Sequence, residues 1–389
     1  MNTVSRRRRG DAGARSEAPR DGGVIVLTSA NAWHEQRMAD HQLARALSVF
    51  APVLYVDPPA IRRPRVAGAE GPAGVRVLQP MRLPLLRNRW TAFLTRFLVA
   101  AQIRRQLRIV GVQRTLLIEA NVTSPVVGIL GEARSVYWAQ DDWQGLAEIV
   151  GLNPRILERN ERSLVRRSSA VVAANPLVAD RLTRSRSDVR LIPFGASTSM
   201  FESESEDDAR PTRRAVVMGT INARIDFTLL DAVVCAGVEL LLVGPITDTD
   251  AGAAVDRLCE RGDVEYRPQA PFRDMPEVLR GCAVGLVPYT HSLFNEGSFP
   301  LKTLEYLAAG LPVVATDLPA IRWLGCPDVD VADAPDAFAA AVRTLVDRPG
   351  PDLQGRERRR SFAREHDWER RAEAFVEVLA LRDEVGARI

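Results

Sequence analysis

Short apolar runs alternate along the chain with stretches in which apolar residues recur every three or four positions. The first run, VIVL at residues 24–27, precedes a helical pattern at residues 35–49 and a second run, PVLYVD, that ends at Asp57. A strand, a helix and a strand in this order predict a parallel sheet. Four more runs continue the alternation: TLLIE (115–119), SVYWAQ (135–140), AVVAA (170–174) and VRLIP (189–193). Together they predict one doubly wound α/β domain over residues 22–200.

The alternation is interrupted once, by the acidic and polar segment ESESEDDARPTRR at residues 202–214. This composition, broken by Pro211, is typical of an exposed linker, which we place at residues 201–214. Apolar runs and helical patterns then resume and predict a second α/β domain over residues 215–365. A long amphipathic helix lies within residues 366–389, and we expect it to pack back toward the first domain.

Two such repeats predict the fold class α/β, with two Rossmann-like doubly wound domains that face a cleft. The length agrees, because 389 residues exceed what a single ordinary core accommodates. Ligands of open parallel sheets bind beyond the carboxyl ends of the strands, so the cleft is the expected site.

Charge is distributed unevenly, although the net charge is only +3. Residues 71–118 contain nine arginines and no acidic residue. The first 21 residues are polar and basic, without the apolar stretch of a signal peptide, which predicts a disordered basic tail at residues 1–21. No uncharged apolar run approaches the roughly 18 residues that a membrane-spanning helix needs. We therefore expect a cytoplasmic protein.

Cysteine usage points away from metal and disulfide chemistry. The chain has four cysteines without a CxxC pair, at positions 235, 259, 282 and 326. This spacing predicts neither a zinc site nor a disulfide framework, and we expect buried, reduced thiols.

Residues 297–310 read GSFPLKTLEYLAAG and contain Lys302, the only lysine among the 52 basic residues. Pro300 suits the first turn of a helix and Ser298 suits a nearby capping position, so we expect a helix to begin here. The free N–H groups and positive dipole end of such a helix bind phosphate well. Lys302 adds a full positive charge in the first turn, and Glu305 follows one turn later.

Two interpretations of this helix start compete. In one, Lys302 and Glu305 form an exposed ion pair worth about 0–1 kcal/mol. In the other they belong to a phosphate site, which the composition favours, because a drift that made every other basic residue arginine would also have replaced an ordinary surface lysine. A compact ammonium fits a crowded pocket better than a planar guanidinium. We therefore predict a donor-binding helix start formed by Ser298, Pro300, Leu301, Lys302 and Glu305.

The stretch FPLKTLEYLAAGLPVVATDLP resembles the nucleotide-sugar motif of GT-B glycosyltransferases, especially family-four-like bacterial enzymes of polysaccharide assembly. Other segments agree in order, among them VVAANPLVADRL, VRLIPFG and VEYRPQAPFRDMPEVLRGCAVGLVPY. The resemblance covers roughly residues 22–380. It implies that Glu305 binds the ribose hydroxyls of a nucleotide, while backbone amides at the helix start hold its diphosphate. Many relatives carry an acid where this chain has Gly297, and the nearest acid here is Glu296.

The resemblance also marks MGTINARIDF at residues 218–227, the loop after the first strand of the second domain. Relatives usually carry an arginine after the glycine and a lysine further on, both directed at the donor phosphates. Here Thr220 follows Gly219, and Arg224 takes the place of the later cation. Either Arg224 is merely exposed, or it joins Lys302 in neutralising the leaving diphosphate, a role that needs neither a metal nor a cofactor.

The acidic triplet DTD at residues 248–250 spells the metal-binding DxD of the other large glycosyltransferase class. Short acidic triplets are frequent by chance, and this one follows VGP in a chain with two α/β repeats. We therefore predict no metal site there.

The segment YWAQDDW at residues 137–143 places Asp141 and Asp142 at the carboxyl end of a first-domain strand. An acceptor hydroxyl that attacks a sugar carbon needs a base if the anomeric configuration inverts. Either carboxylate suits that catalytic role, and one of them equally suits capping of the following helix. Family-four relatives generally retain configuration, whereas an aspartate pair suits inversion, so the sequence leaves the stereochemistry open.

Residues 30–41 follow the first strand, where GT-B enzymes carry a loop that reaches into the cleft. Trp33, Arg37 and His41 are spaced to share one face of a helix. We interpret them as an acceptor-side surface, in which Arg37 contacts a sugar or an acceptor phosphate. The alternative is a surface arginine and a packed histidine.

Residues 89–108 combine aromatic and aliphatic residues with arginines at both ends. Such a helix lies on an anionic membrane surface, or packs in the core with a solvated arginine face. No nucleic-acid-binding motif accompanies the charge. The expected partners are a nucleotide-sugar donor and a glycan or lipid-linked acceptor, with peripheral contact at the inner face of the cytoplasmic membrane.

These patterns predict a metal-independent, hexosyltransferase-type glycosyltransferase of cell-envelope or polysaccharide biosynthesis. The second domain holds the donor and the first holds the acceptor. Two rivals stay open: a non-hydrolysing nucleotide-sugar epimerase, which shares the architecture, and a non-catalytic GT-B partner that binds nucleotide-sugar or scaffolds a complex.

Overall fold

The described part of the chain contains two parallel sheets, each with helices packed against it. The computed structural model describes residues 23–34, 38–67, 74–84, 89–143, 147, 153–201, 213–261, 263–268, 270–348 and 352–380. The predicted basic tail at residues 1–21 and most of the predicted linker lie outside these ranges. The predicted α/β class with two Rossmann-like domains is confirmed.

The first sheet has eight strands in the order β3-β4-β2-β1-β5-β6-β7-β8. Neighbouring strands are parallel except for β3 and β4, which form an antiparallel pair at one edge. The strands are β1 (Gly23–Thr28), β2 (Val53–Val56), β3 (Arg65–Ala67), β4 (Val75–Gln79), β5 (Arg114–Glu119), β6 (Arg134–Ala139), β7 (Ala170–Ala173) and β8 (Val189–Leu191). The strand order reverses between β1 and β5, which places a ligand-binding crevice beyond their carboxyl ends.

The second sheet has six parallel strands in the order β11-β10-β9-β12-β13-β14. They are β9 (Arg214–Met218), β10 (Glu239–Val243), β11 (Val264–Arg267), β12 (Val284–Val287), β13 (Val313–Ala315) and β14 (Val329–Val331). In sequence order this is the 3-2-1-4-5-6 arrangement of dinucleotide-binding domains, and it reverses between β9 and β12. The loops after β9 and β12 therefore flank the second crevice.

Helices connect the strands and cover both faces of each sheet. In the first domain they are α1 (Ala39–Leu47), α2 (Arg89–Val110), α3 (Pro154–Arg167) and α4 (Pro176–Thr183). In the second they are α5 (Phe227–Cys235), α6 (Thr249–Cys259), α7 (Met275–Arg280), α8 (Leu293–Glu296), α9 (Leu301–Ala308), α10 (Pro319–Leu324), α11 (Pro335–Val346) and α12 (Leu353–Glu365). The last is α13 (Trp368–Ala380).

Helices α3 and α4 begin with the same local device, an asparagine followed by a proline. Asn153 Oδ1 accepts a hydrogen bond from the amide of Arg155 at 3.0 Å, and Asn175 Oδ1 accepts one from the amide of Leu177 at 2.7 Å. Asparagine is among the best residues for this capping position, and proline is tolerated in the first turn because its missing N–H has no helical partner. Sequence alone thus determines both starts.

Apolar packing continues from the first sheet into the second domain. Trp138 of β6 packs edge-on against Phe194, with ring centroids 6.0 Å apart, and Phe194 packs against Phe299 of the second domain at 6.1 Å. All three side chains are buried and belong to one core cluster. The two domains therefore share hydrophobic contact beside the cleft in addition to the polar contacts described below.

The final helix packs on the first domain. It contacts α1 and β6, and Arg134 Nη1 of β6 donates to the carbonyl of Leu379 at 2.7 Å. The chain enters this helix beside residue 196, where the Ala196 amide donates to the His366 carbonyl at 3.0 Å and the Trp368 amide donates to the Ala196 carbonyl at 3.1 Å.

No helix among the described residues is both long enough and apolar enough to cross a bilayer. The four cysteines are free thiols; Cys282 and Cys326 are buried as expected, but the expectation is wrong for Cys235, which is exposed.

Candidate functional site

Strand β9 ends in a glycine turn. Gly219 has a φ of +125°, a conformation that residues with a side chain rarely adopt, and its amide donates to the Val243 carbonyl at 2.9 Å. The neighbouring strand end approaches closely, since a Cβ added to Gly244 would lie 1.9 Å from the Gly219 carbonyl oxygen. Thr220 follows in the partly buried loop. The backbone at this strand end is therefore fixed and bare of side chains, which suits close approach of a ligand.

Lys302 lies directly against this turn. A Cβ added to Gly219 would come within 3.3 Å of Lys302 Cε. The lysine stem thus occupies the space that a side chain at position 219 would need. Two residues that the sequence assigned to the same phosphate site from separate motifs are adjacent in the structure.

The helix that carries Lys302 begins at Leu301, where the sequence predicted a helix from about Leu301 to Ala309. Helix α9 starts at Leu301, and Pro300 is its N-cap residue, with no side-chain hydrogen bond to the first turn. The prediction that Ser298 caps this helix is wrong, because its hydroxyl donates instead to Asp141 Oδ1 at 2.7 Å. No side chain caps the start of α9, but backbone carbonyls occupy two of its first amides: Leu301 N donates to Phe299 O at 2.9 Å and Thr303 N donates to Pro300 O at 3.0 Å.

Lys302 and Glu305 form an ion pair, but not the exposed pair considered from the sequence. Lys302 Nζ lies 2.7 Å from Glu305 Oε2, and the Glu305 side chain is only 1% exposed whereas that of Lys302 is 28% exposed. A carboxylate that is taken out of water needs its partner, since an unpaired buried charge is strongly destabilising. The pair is therefore anchored on the buried glutamate, and the ammonium is the end that reaches solvent.

Arg224 is fixed by aromatic and polar contacts in the loop after β9. Its guanidinium carbon lies 4.9 Å from the centroid of the Tyr289 ring and 4.6 Å from that of Phe294. Arg224 Nε donates to Asn295 Oδ1 at 2.7 Å. This arginine is half-buried and held in one orientation, which differs from a merely exposed loop residue. Its charge also acts on Asp141 in the first domain.

The two aspartates after β6 have different surroundings. Asp141 Oδ1 accepts the hydroxyl of Ser298 from the second domain, whereas Asp142 Oδ1 lies 3.8 Å from Arg181 Nη2 within its own domain. Arg181 also forms two hydrogen bonds with Glu161, at 2.6 and 3.0 Å. Asp142 thus belongs to an internal ion-pair network, and Asp141 is the carboxylate that faces the donor-side loop.

Burial raises the pKa of Asp141 above its ordinary value. The Ser298 hydroxyl and the charge of Arg224 oppose the increase, while Asp142 and Asp40 add to it. A carboxyl group with a raised pKa is a stronger base once ionised, which suits a group that accepts a proton from a hydroxyl. The sequence named Asp142 first as the base, with Asp141 as the alternative, and these contacts show that the two carboxylates have different surroundings.

The acceptor-side prediction requires a correction. Trp33, Arg37 and His41 do not share one helix face, because Trp33 lies in a turn and α1 begins only at Ala39. Trp33 and His41 nevertheless pack edge-on with ring centroids 5.3 Å apart. Both are buried, and burial lowers the pKa of His41. The prediction for Arg37 falls outside the described residues.

Several polar residues at the carboxyl edge of the first sheet were missed by sequence reasoning. Asp40 is fully buried and accepts hydrogen bonds from the Ser29 hydroxyl and from Asn31 Nδ2. Glu119 is also fully buried, accepts the Thr28 hydroxyl, and has its pKa raised to about 7 by burial. Glu119 ends a central strand, and Asp40 faces the end of another. This position at the carboxyl edge of the sheet is the only feature by which the sequence could have marked them as site residues.

Asp248, the first residue of the DTD triplet, binds backbone amides with its carboxylate. Asp248 Oδ1 accepts from the amide of Ala251 at 2.7 Å and caps α6, while Asp248 Oδ2 accepts from the amide of Ala223 at 2.8 Å. Both carboxylate oxygens are engaged by backbone amides. Within the described residues, no group of three or more His, Cys, Asp or Glu side chains is arranged to hold a metal ion.

Solved structures share this architecture over almost the whole chain. Sucrose-phosphate synthase from Thermosynechococcus elongatus has a TM-score of 0.69 at 18% identity, over 94% of this chain and 99% of that chain. HepE from Anabaena, solved with UDP and glucose, has a TM-score of 0.65 at 14% identity, over 92% of this chain and 99% of that chain. The chain has the GT-B fold. The cleft of this GT-B protein is therefore the space between the carboxyl edges of its two sheets.

Part of the second domain is similar to a described family. Residues 225–348 match the family described as "Glycosyl transferases group 1". This segment contains Ser298, Lys302 and Glu305, and it begins directly after Arg224. TuaH of Bacillus subtilis, whose name provisionally describes a teichuronic acid biosynthesis glycosyltransferase, is 26% identical over 229 residues, which cover 55% of this chain and 57% of that protein. The match thus spans little more than half the length of the relative.

Proposed function

We propose that the chain is a glycosyltransferase that moves a sugar from a nucleotide-diphosphate-sugar to a hydroxyl of a glycan or lipid-linked acceptor in cell-envelope or polysaccharide biosynthesis. One observation carries the proposal. The helix start with Lys302 and Glu305 lies against the Gly219 turn, and its preceding loop contacts Asp141 across the cleft. The family match over residues 225–348 and the GT-B fold support the same function.

On the donor side, the start of α9 and the ammonium of Lys302 bind the diphosphate. The ammonium lies 2.7 Å from Glu305 Oε2, and in the proposed donor complex both groups exchange partners. Lys302 turns to phosphate oxygens, and the buried Glu305 carboxylate accepts the ribose hydroxyls instead. Arg224, fixed by Tyr289 and Phe294, supplies a second positive charge. Fixed cations stabilise the charge that develops on the leaving diphosphate without a metal or cofactor.

The transfer step has a simple balance. The acceptor oxygen forms a bond to the anomeric carbon, the bond from that carbon to the diphosphate oxygen breaks, and the diphosphate leaves with the electron pair. If the configuration inverts, Asp141 takes the hydroxyl proton. If it is retained, the proton passes to a phosphate oxygen and Asp141 stabilises positive charge on the sugar. The acceptor approaches over the Trp33 and His41 side of the first domain.

We further propose that α2 brings the protein to an anionic membrane. One face of this helix packs in the first-domain core through Val99, Ala100, Ile103 and Leu107. Near its start, Phe93, Leu94 and Phe97 are 48%, 52% and 42% exposed, and the two phenylalanine rings lie 4.9 Å apart.

The arginines near the end of α2 supply the matching charge. Arg104, Arg105 and Arg108 are exposed on this helix. An exposed apolar patch near cations fits an anionic lipid surface. Binding to phosphatidylglycerol vesicles, lost in a Phe93→Ser/Phe97→Ser variant, tests this contact; equal sedimentation of both proteins contradicts it.

A donor screen tests the function. We expect one nucleotide-sugar and its nucleoside diphosphate to raise the melting temperature, and NMR of the product then reports the anomeric linkage. Conversion of the free donor without an acceptor would identify an epimerase instead. Donor binding with no turnover over a broad acceptor panel would identify a non-catalytic partner.

A further inference from the structure

Asn175 is a buried residue with two separate tasks. Its Oδ1 caps α4 by accepting from the Leu177 amide, as Asn153 caps α3 by accepting from the Arg155 amide. Unlike Asn153, which is exposed, Asn175 is fully buried and uses its amide nitrogen as well. A second task for the same side chain therefore distinguishes two otherwise equivalent helix starts.

The second task crosses between the domains. Asn175 Nδ2 donates to the carbonyl of Ser298 at 2.6 Å and approaches that of Glu296 at 3.4 Å. Ser298 thereby contacts the first domain twice, since its carbonyl accepts from Asn175 and its hydroxyl donates to Asp141 at 2.7 Å. These two partners follow different strands, β7 and β6.

The residues on either side of Ser298 also contact the first domain. Gly297 lies so close to Asp142 that a Cβ added to it would come within 2.5 Å of Asp142 Cβ. Phe299 packs on Phe194. Three consecutive residues, 297–299, which we call the donor loop, are therefore held by the first domain immediately before α9 begins.

We propose that Asn175 is a positioning residue that fixes the donor loop when the domains close, and thereby sets the diphosphate site at the start of α9. The inference rests on the proposed donor site. When the domains separate, the hydrogen bond between the Ser298 carbonyl and the Asn175 amide is lost and both groups are hydrated. The loop then keeps only its contacts within the second domain, such as the bond from the Ser298 amide to the Asn295 carbonyl. Closure and diphosphate binding are then coupled, and each strengthens the other by the same factor.

Asn175→Asp separates the two tasks. Aspartate keeps the capping oxygen for the Leu177 amide, but it has no N–H to donate and turns a carboxylate oxygen toward the Ser298 carbonyl. Asn153→Asp is the matched control, because it makes the same change at an equivalent helix start. Asn175→Ser is a second variant, which retains a capping hydroxyl and is too short to reach the donor loop.

Two measurements are made on the full chain, with melting temperatures recorded to confirm folding. The first is amide hydrogen exchange of residues 293–308 without ligand, and the second is titration with UDP, ADP and GDP. We expect both Asn175 variants to speed exchange in this segment and to weaken the bound diphosphate by about tenfold or more, while Asn153→Asp changes neither.

The outcomes separate the inference from the proposed function. Unchanged exchange in both folded Asn175 variants overturns the positioning role. Faster exchange with unchanged diphosphate affinity overturns the coupling to the donor site. If the unaltered protein binds none of the three nucleotides while the Asn175 variants still exchange faster, the donor site is wrong and the contact between the domains is upheld.

Discussion

Gly297 of the second domain lies against Asp142 of the first, so closely that a single added carbon would come within 2.5 Å of Asp142 Cβ. Its φ of −83° is open to any residue, so the restriction comes from the neighbouring domain and not from the backbone. A side chain at position 297 is thus incompatible with this closed arrangement.

Gly297→Ala should therefore impair closure without harming the second domain. We expect the catalytic rate to fall at least tenfold, in line with an overpacking cost of about 1–3 kcal/mol. Gly281→Ala is the matched control, since Gly281 ends α7 at a φ of −78° and an added Cβ would meet only Val278 O at 3.7 Å. Removing the opposing Cβ in a Gly297→Ala/Asp142→Gly variant should restore closure, as scattering would show. Full activity of the single variant would refute the contact.

Lys302→Ala should weaken nucleoside-diphosphate binding about tenfold or more, because an ammonium–phosphate contact is lost. The change also leaves the buried Glu305 carboxylate without its cation, which lowers stability. The Lys302→Ala/Glu305→Gln variant separates the two effects, since it removes the unpaired charge but does not restore the cation. Calorimetric titration and thermal unfolding measure them independently. Near-wild-type affinity of Lys302→Ala would rule out the phosphate role.

Lys302→Arg should also weaken binding. The lysine stem fills the space above Gly219, where a planar guanidinium is bulkier than an ammonium. We expect a severalfold loss of diphosphate affinity in the same titration. An unchanged diphosphate affinity in Lys302→Arg would show that the pocket accepts either cation. Steric fit would then not explain why the chain has a lysine at this position.

Gly219→Ala should damage the same site from the other side. The added methyl group meets Lys302 Cε at 3.3 Å, and the alanine must adopt a φ of +125°. Gly237→Ala is the control for backbone strain alone, because Gly237 has a φ of +76° and open space around it. We expect both variants to lose stability by about 1 kcal/mol or more, but only Gly219→Ala to lose diphosphate affinity. Equal affinities would separate Gly219 from the site.

Asp141→Asn should reduce turnover strongly while leaving donor affinity within a few-fold. Asp142→Asn should mainly disturb the pairing with Arg181 and lower stability. Burial raises the pKa of Asp141, and the group acts as the carboxylate, so turnover should fall as pH decreases through a value above the ordinary aspartate pKa of about 3.9. A pH–rate profile of the unaltered protein, compared with those of both variants, checks this. If Asp142→Asn lost more turnover than Asp141→Asn, Asp142 would be the reactive carboxylate.

Stability should depend on His366 in mildly acidic solution. Burial, together with the charge of Arg371, lowers the pKa of His366 from 6.5 to about 4, and its Nδ1 accepts from Arg371 in the neutral form. Between these pH values the unfolded chain binds a proton that the folded chain does not, so stability falls as pH decreases from 6.5 toward 4. Denaturant unfolding of His366→Gln should show a shallower loss than the unaltered protein. His291→Gln, on the exposed surface, serves as control.

The fold was predictable because parallel sheets buried on both faces require continuous apolar strands, and these are visible in one sequence. The position of Lys302 beside the Gly219 turn was also predictable, since both follow strands that meet at one sheet edge. Local signals failed where tertiary contacts compete with them. Ser298 has the chemistry of a helix cap, yet its hydroxyl donates to Asp141, and Pro300 takes the N-cap position.

Contacts between the domains were beyond the sequence. Nothing local separates Asn175 from Asn153, because both precede a proline and begin a helix, and only the second domain gives one of them an additional partner. Asp141 and Asp142 are likewise consecutive and identical in type. Their different pairing depends on which side of the loop faces Arg181 and which faces Ser298.

The paired backbone at Ala196 and Asp367 has a mechanical consequence. The chain leaves the first domain just after residue 196 and returns at residue 367, and these two passages are joined side by side by hydrogen bonds. Two chain crossings that are hydrogen-bonded to each other should allow the domains to rotate about one hinge axis and should resist rotation about other axes, whereas a single crossing would allow both. The donor loop should therefore meet Asp141 and Asn175 in the same register at every closure.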